Sequence, residues 1–136
     1  MSALPPAEAK EIEAKEIEEG LVLAPRFDAQ GLVVCITMEA ATKEILMVAY
    51  MNELALDKTI ETGIAHYWSR SRQSLWRKGD TSGQVQKVLS IEVDCDQDAL
   101  LLRVEPGGDG KACHTGRKSC FYRRLADGPT RRLEFA

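Results

Sequence analysis

No apolar run in this 136-residue chain approaches the roughly 20 residues that a helix needs to cross a bilayer, which argues against a membrane-spanning helix. The opening residues, MSALPPAEAKEIEAKE, are acidic and lack the basic region and apolar centre of a signal peptide. The expected compartment is therefore the cytoplasm, where thiols stay reduced and cysteines act as ligands or nucleophiles rather than as disulfides. No Cys-x-x-Cys is present. That disfavours thiol redox chemistry and also removes the close ligand pair usual in a structural zinc finger. There is no P-loop, no internal repeat and no linker that would split the chain in two. Histidine occurs only twice, as His66 and His114.

With 44% apolar and 29% charged residues, the composition is that of one ordinary globular domain. The net charge of −3 conceals an asymmetry: residues 1–63 hold 5 basic and 12 acidic side chains, whereas residues 64–124 hold 11 basic and 7 acidic. Overall acidity argues against broad nucleic-acid binding. A basic half suits a small anionic substrate such as a phosphate ester.

Residues 1–20, with Pro5 and Pro6 followed by Glu, Ala, Lys and Ile, suggest a short surface helix or a mobile arm, to which no chemistry is assigned. Alternation over Gly31–Met38 predicts a strand, with Cys35 a packed strand residue. The apolar run Ile45–Met51 predicts a buried strand paired with it in a hairpin. Asn52 is an N-cap, Glu53 favours the positive end of a helix, Met51 and Leu56 occupy staple positions, and Gly63 fits a C′ residue. Together they predict one principal helix over Glu53–Thr62. Two short strands, Ala65–Trp68 and Leu75–Lys78, flank a polar turn, and His66, between Ala65 and Tyr67 in the first, reads as a structural histidine. Val85–Val93, with Leu89, Ile91 and Val93 inward, and Ala99–Val104 form a further pair joined by a tight turn at Asp96–Gln97. The fold class is α+β and β-rich, with antiparallel or mixed strands. The division is an N-terminal arm over 1–24, a folded domain over 25–124 and a tail over 125–136.

Chemistry concentrates in DCDQDALLLRVEPGGDGKACHTGRKSC, residues 94–120. It holds Cys95, Cys113 and Cys120, together with Asp94, Asp96, Asp98 and His114. Thiolates suit zinc, and carboxylates suit magnesium or calcium. If Val93–Asp96 is extended, Cys95 points away from Asp94 and Asp96, which predicts a thiolate site and a separate carboxylate site close by. The three aspartates also match the start of an EF-hand loop, but Ala99 stands where that loop needs glycine, and the flanks are not helical in pattern. With three cysteines and no obvious fourth ligand, the set resembles an open catalytic zinc site. His114 reads as a ligand, a general base or a turn residue. The loop Gly79–Gly83 (GDTSG) could present N–H groups to a phosphate, with Arg70, Arg72 and Lys78 adding charge. A solvated turn with surface arginines is the plainer reading of the same residues.

The segments MVAYMNELAL, HYWSRSRQSLWRKGDTSG, VDCDQDALLLRVE and ACHTGRKSCFYR resemble phosphoribosyl-AMP cyclohydrolases of histidine biosynthesis over about residues 25–124. The resemblance implies hydrolysis of the N1–C6 bond of the adenine ring of phosphoribosyl-AMP to the formimino-carboxamide ribonucleotide, by zinc-activated water. It implies an intertwined homodimer with zinc on Cys95, Cys113 and Cys120 shared across the interface, and magnesium on Asp94, Asp96 and Asp98. His114 is the candidate base. Arg70, Arg72, Lys78, Thr81 and Ser82 are the candidates for holding the substrate's phosphates. Many related sequences carry His where Gln84 stands, so position 84 is left outside the catalytic set. The competing expectation is a non-catalytic, zinc-stabilised nucleotide-binding dimer.

Overall fold

The computed structural model describes residues 14–136. Helix α1 (Ala14–Glu19) is followed by β1 (Val33–Glu39), β2 (Ile45–Met51), α2 (Glu53–Thr62), β3 (His66–Ser69), β4 (Ser74–Arg77), β5 (Gln86–Val93), β6 (Ala99–Pro106), β7 (Arg123–Leu125) and β8 (Leu133–Phe135). The architecture is α+β and strand-rich. A four-stranded sheet has the order β2-β1-β6-β5, and two hairpins, β3-β4 and β7-β8, stand apart from it. The sheet is mixed: β1 runs antiparallel to β2 and parallel to β6, and β5 runs antiparallel to β6. The parallel pairing forces a long crossover, and β2, α2, β3, β4 and β5 occupy it.

One face of the sheet makes the core. Cys35 lies opposite Leu100 and Thr37 opposite Leu102, and all four are buried together with Val33 and Val104. From α2, Ala55 and Leu56 pack onto this face, and Ala65 and Tyr67 close it. Each fully buried leucine contributes about 1.5–3 kcal/mol. The helix begins and ends where its capping residues predict: Asn52 accepts the backbone N–H of Ala55, and Gly63 takes the left-handed conformation at φ 73°.

The core also carries a polar chain. Tyr67 donates its hydroxyl proton to Gln86 Oε1 at 2.6 Å, so its contact with Thr37 Oγ1 at 2.7 Å has the threonine as donor. The Gln86 amide then donates to Met47 Sδ at 3.4 Å. Burial raises the Tyr67 phenol well above its ordinary value, with the neighbouring Cys35 adding to the effect. Cys35 is packed as expected, and burial pushes its thiol up to about 12.

Two strand expectations need correction. β2 is an edge strand rather than a strand buried on both faces, and Val48 is exposed. Helix α2 covers only one face of it. In β5 the register shifts between Val88 and Ser90. This bulge throws Leu89 outward, to 53% exposure; Ile91, opposite Leu102, stays half-buried against the core, but Val93, opposite Leu100 at the strand end, is exposed rather than inward. A pure period of two does not anticipate an inserted residue.

Of the N-terminal arm over 1–24, residues 1–13 lie outside the described part. Within the rest, α1 buries Ile17. The tail over 125–136 is not featureless: β7 and β8 pair in register, with Arg124 bonded to Glu134. No described helix is long and apolar enough to cross a membrane.

Candidate active site

The turn between β5 and β6 is wider than the two residues expected, and the chain leaves the strand after Val93. Asp94 organises it. Its Oδ1 accepts the backbone N–H groups of Asp98 and Ala99, at 3.0 and 3.2 Å, and its carbonyl accepts that of Gln97. The coil brings carboxylate oxygens of Asp94, Asp96 and Asp98 within 4.8 Å of one another. Cys95 is not part of this group. The separation of sulfur from carboxylates thus comes from the turn, and the extended Val93–Asp96 that suggested it does not exist.

Three acids so close cannot all ionise freely. Hydrogen bonds to Asp94 and Asp96, and their charge, push Asp98 up to about 6. Burial acts to raise Asp94, but its bonds to the Asp98 carboxyl and to two backbone N–H groups outweigh this and hold it below the ordinary range. Below about pH 6 Asp98 therefore keeps a proton that a hard divalent cation would replace. Oxygen donors of this kind fit magnesium.

The second cluster is built on the loop after β6. Ala112 and Lys118 pair through Ala112 N–H, Cys113 donates to the Arg117 carbonyl, and Gly116 closes the turn at φ 88°. The returning segment is fastened to the edge of β2: Ser119 Oγ donates to the Ile45 carbonyl at 2.7 Å, and Cys120 N–H to the Leu46 carbonyl at 2.7 Å. The exposed edge of β2 thereby sets Cys120 beside Cys113. Both are free thiols. Burial works to raise Cys113, but the Thr115 hydroxyl at 3.1 Å, the Thr115 N–H, the Cys120 thiol and the Lys78 charge together bring it below its ordinary value. Burial and the Cys113 thiolate push Cys120 up to about 11.

Lys78 joins the two parts. It is buried, its ammonium donates to the Ala112 carbonyl at 2.6 Å, and it lies 5.2 Å from the centre of the Trp76 ring. Burial lowers its pKa, while Cys120 and Cys113 oppose the shift. A surface arginine-type role does not describe it. Gly79, next in sequence, has φ 92°, and a Cβ there would sit 2.3 Å from the Val85 nitrogen. Only glycine lets the 79–85 loop fold back this tightly.

Lys78, Gly79 and Cys113 line one cleft of about 650 Å³ together with Arg72, Trp76, Thr81, Ser82 and His114; Cys120 and the three aspartates are not on its wall. Arg70 is not on its wall; its guanidinium stacks on Tyr50 at 4.0 Å. Cys95 lines a separate depression with Ile17 and Val93. His66 takes the structural place expected of it, buried with Nδ1 2.8 Å from the Ile64 carbonyl. Two wall residues had no role from sequence. Trp76 falls there only within the expected strand Leu75–Lys78. Gln84 lines the cleft and accepts Lys111 N–H at 3.1 Å, and nothing in its local pattern marks that long-range bond.

Two adjacent sulfurs, one of them with its pKa lowered, are soft donors that fit zinc. They make half of a tetrahedral site, and among the described residues of one chain Cys95 does not join them.

Comparison with known proteins agrees with the family suggested by the motifs. A family model described as phosphoribosyl-AMP cyclohydrolase matches residues 47–122. A phosphoribosyl-AMP cyclohydrolase of Brucella canis is 58% identical over 117 residues, covering 86% of this chain and 84% of that protein. One from Rhodopseudomonas palustris strain BisB18 is 64% identical over 110 residues, covering 81% and 74%. Another, from strain BisA53, is 58% identical over 125 residues, covering 92% and 82%.

Proposed function

The chain belongs to the phosphoribosyl-AMP cyclohydrolase family, and on that premise we propose that it hydrolyses the N1–C6 bond of the adenine ring of phosphoribosyl-AMP, a cytoplasmic step of L-histidine biosynthesis. The observation that carries this reading is the Cys113–Cys120 pair beside a cleft that also presents Trp76, Arg72, Lys78 and His114. In the net reaction, water oxygen bonds to C6, the N1–C6 bond breaks, and N1 gains a proton. The ring opens to a formimino-carboxamide.

Zinc would be held by Cys113 and Cys120, with Cys95 supplied by a second copy in a homodimer, and would lend Lewis acidity to the attack. The remaining work belongs to the chain. Trp76 offers an aromatic surface for the purine. An imidazole nitrogen of His114 takes a proton from the attacking water and returns it toward N1. Arg72, Thr81 and Ser82 hold phosphate oxygens, and the positive charge of Lys78 supports both the sulfurs and an anionic substrate. The carboxylates of Asp94, Asp96 and Asp98, on the same turn as Cys95, would hold magnesium and be brought to those phosphates with it by the second copy. Arg70, engaged with Tyr50, would reach a phosphate only by leaving that ring.

Incubation with phosphoribosyl-AMP, followed by absorbance as the ring opens, tests the reading. Turnover is expected from the zinc-loaded protein, and it should vanish on chelation and in Cys113→Ala. Zinc-loaded wild-type protein that leaves the substrate intact refutes it.

A further inference from the structure

Gln97 lies between two members of the carboxylate turn, yet it is almost completely buried, at 2% exposure. Its amide is nearly saturated. Oε1 accepts the Ala24 N–H at 2.8 Å, and Nε2 donates to the carbonyls of Ile17 at 3.0 Å and Val22 at 3.1 Å. Its own carbonyl accepts the Arg26 N–H at 2.7 Å. Four bonds thus tie this residue to the 17–26 segment, about 75 positions away in sequence. Its φ of 57° lies in the left-handed region, which costs a glutamine more than it would an asparagine or glycine. If the position served the turn alone, a shorter residue would suit it better. Only the length of glutamine reaches Ile17 and Val22.

We propose that Gln97 is a positioning residue, through which the 17–26 segment holds the Asp94–Asp98 turn in the shape that binds a divalent cation. The inference rests on reading the three carboxylates as a cation site. It gives the segment preceding β1 a part in the reaction although none of its residues lines the cleft. The mechanism is a coupling of two equilibria. Ordering the segment orders the turn, and a cation on the turn must protect the segment by the same factor.

Two measurements test it. In Gln97→Asn the backbone keeps its left-handed residue, but the amide falls one methylene short. Mn2+ bound to the full-length protein, counted by electron paramagnetic resonance, should bind about tenfold more weakly than to wild type. A merely structural role would lower the unfolding midpoint and leave the Mn2+ affinity of the folded protein unchanged. The second arm needs no variant. In wild type, saturating Mg2+ should slow amide hydrogen exchange several-fold in the peptide covering residues 21–27. If Asp96→Asn abolishes Mn2+ binding while Gln97→Asn does not weaken it, or if Mg2+ leaves exchange in that peptide unchanged, the positioning role is overturned and the carboxylate site stands. If wild type binds no Mn2+, the cation site itself fails, and this inference with it.

Discussion

Tyr67 shows how much a single hydroxyl does in this core. It accepts from Thr37 and donates to Gln86, and all three are shielded from water. Tyr67→Phe leaves two buried polar groups without their partner, so an unfolding free energy lower by about 1–3 kcal/mol is expected in urea titration. Asp98 makes the complementary case, for charge. Its folded pKa of about 6 lies above the ordinary 3.8. In metal-free protein its contribution to stability is fully present below the ordinary value and is lost as pH rises through about 6. A bound cation must displace this proton. Mn2+ affinity should therefore fall as pH drops below about 6, with proton uptake on metal release. In Asp98→Asn that component of the pH dependence should disappear. Calorimetry in buffers of different ionisation enthalpy measures the protons directly; an affinity that stays flat between pH 5 and 7 would contradict the assignment. The carboxylate cluster itself was legible in DCDQD, because alternate acids around a turn must crowd. The burial of Gln97 within it was not, since its partners lie at Ile17, Val22 and Ala24.

Among the elements, α2 was readable to the residue because caps act locally: Asn52 and Gly63 satisfy their own helix ends. Asn52→Ala should cost about 1 kcal/mol, read from thermal or chemical unfolding, and Asn52→Asp should recover most of it. The strands were readable as strands but not in every facing. Leu89 turns out at a bulge, and nothing in the VQKVLSIEV pattern marks where the extra residue falls. β2 has the composition of a central strand but takes the sheet edge. The backbone of that edge is also what seats the cysteine loop, through Ser119 to Ile45 and Cys120 to Leu46. The β7-β8 hairpin escaped notice because its strands are only three residues long and lack a buried face. The placement of Lys78 went unread for a similar reason. Its charge suggested solvent and phosphate, whereas the fold buries it against Ala112 between the cleft and the sulfur pair.

At the scale of the whole molecule, the fold brings together only some of the residues proposed for the site within one chain. Cys113 and Cys120 meet on the loop after β6, while Cys95 stays on the β5-β6 turn, at a different surface. The proposed three-sulfur site would therefore need two copies, with Cys95 of one facing the pair of the other. Mutual complementation tests this most directly. Cys95→Ala and Cys113→Ala should each be inactive alone. Co-expressed and purified together, mixed dimers contain one complete site, so about a quarter of the wild-type ring-opening rate should return, along with a matching share of bound zinc. If the mixture stays as inactive as its components while mixed dimers demonstrably form, the sulfurs are not shared between chains and the proposed site is wrong.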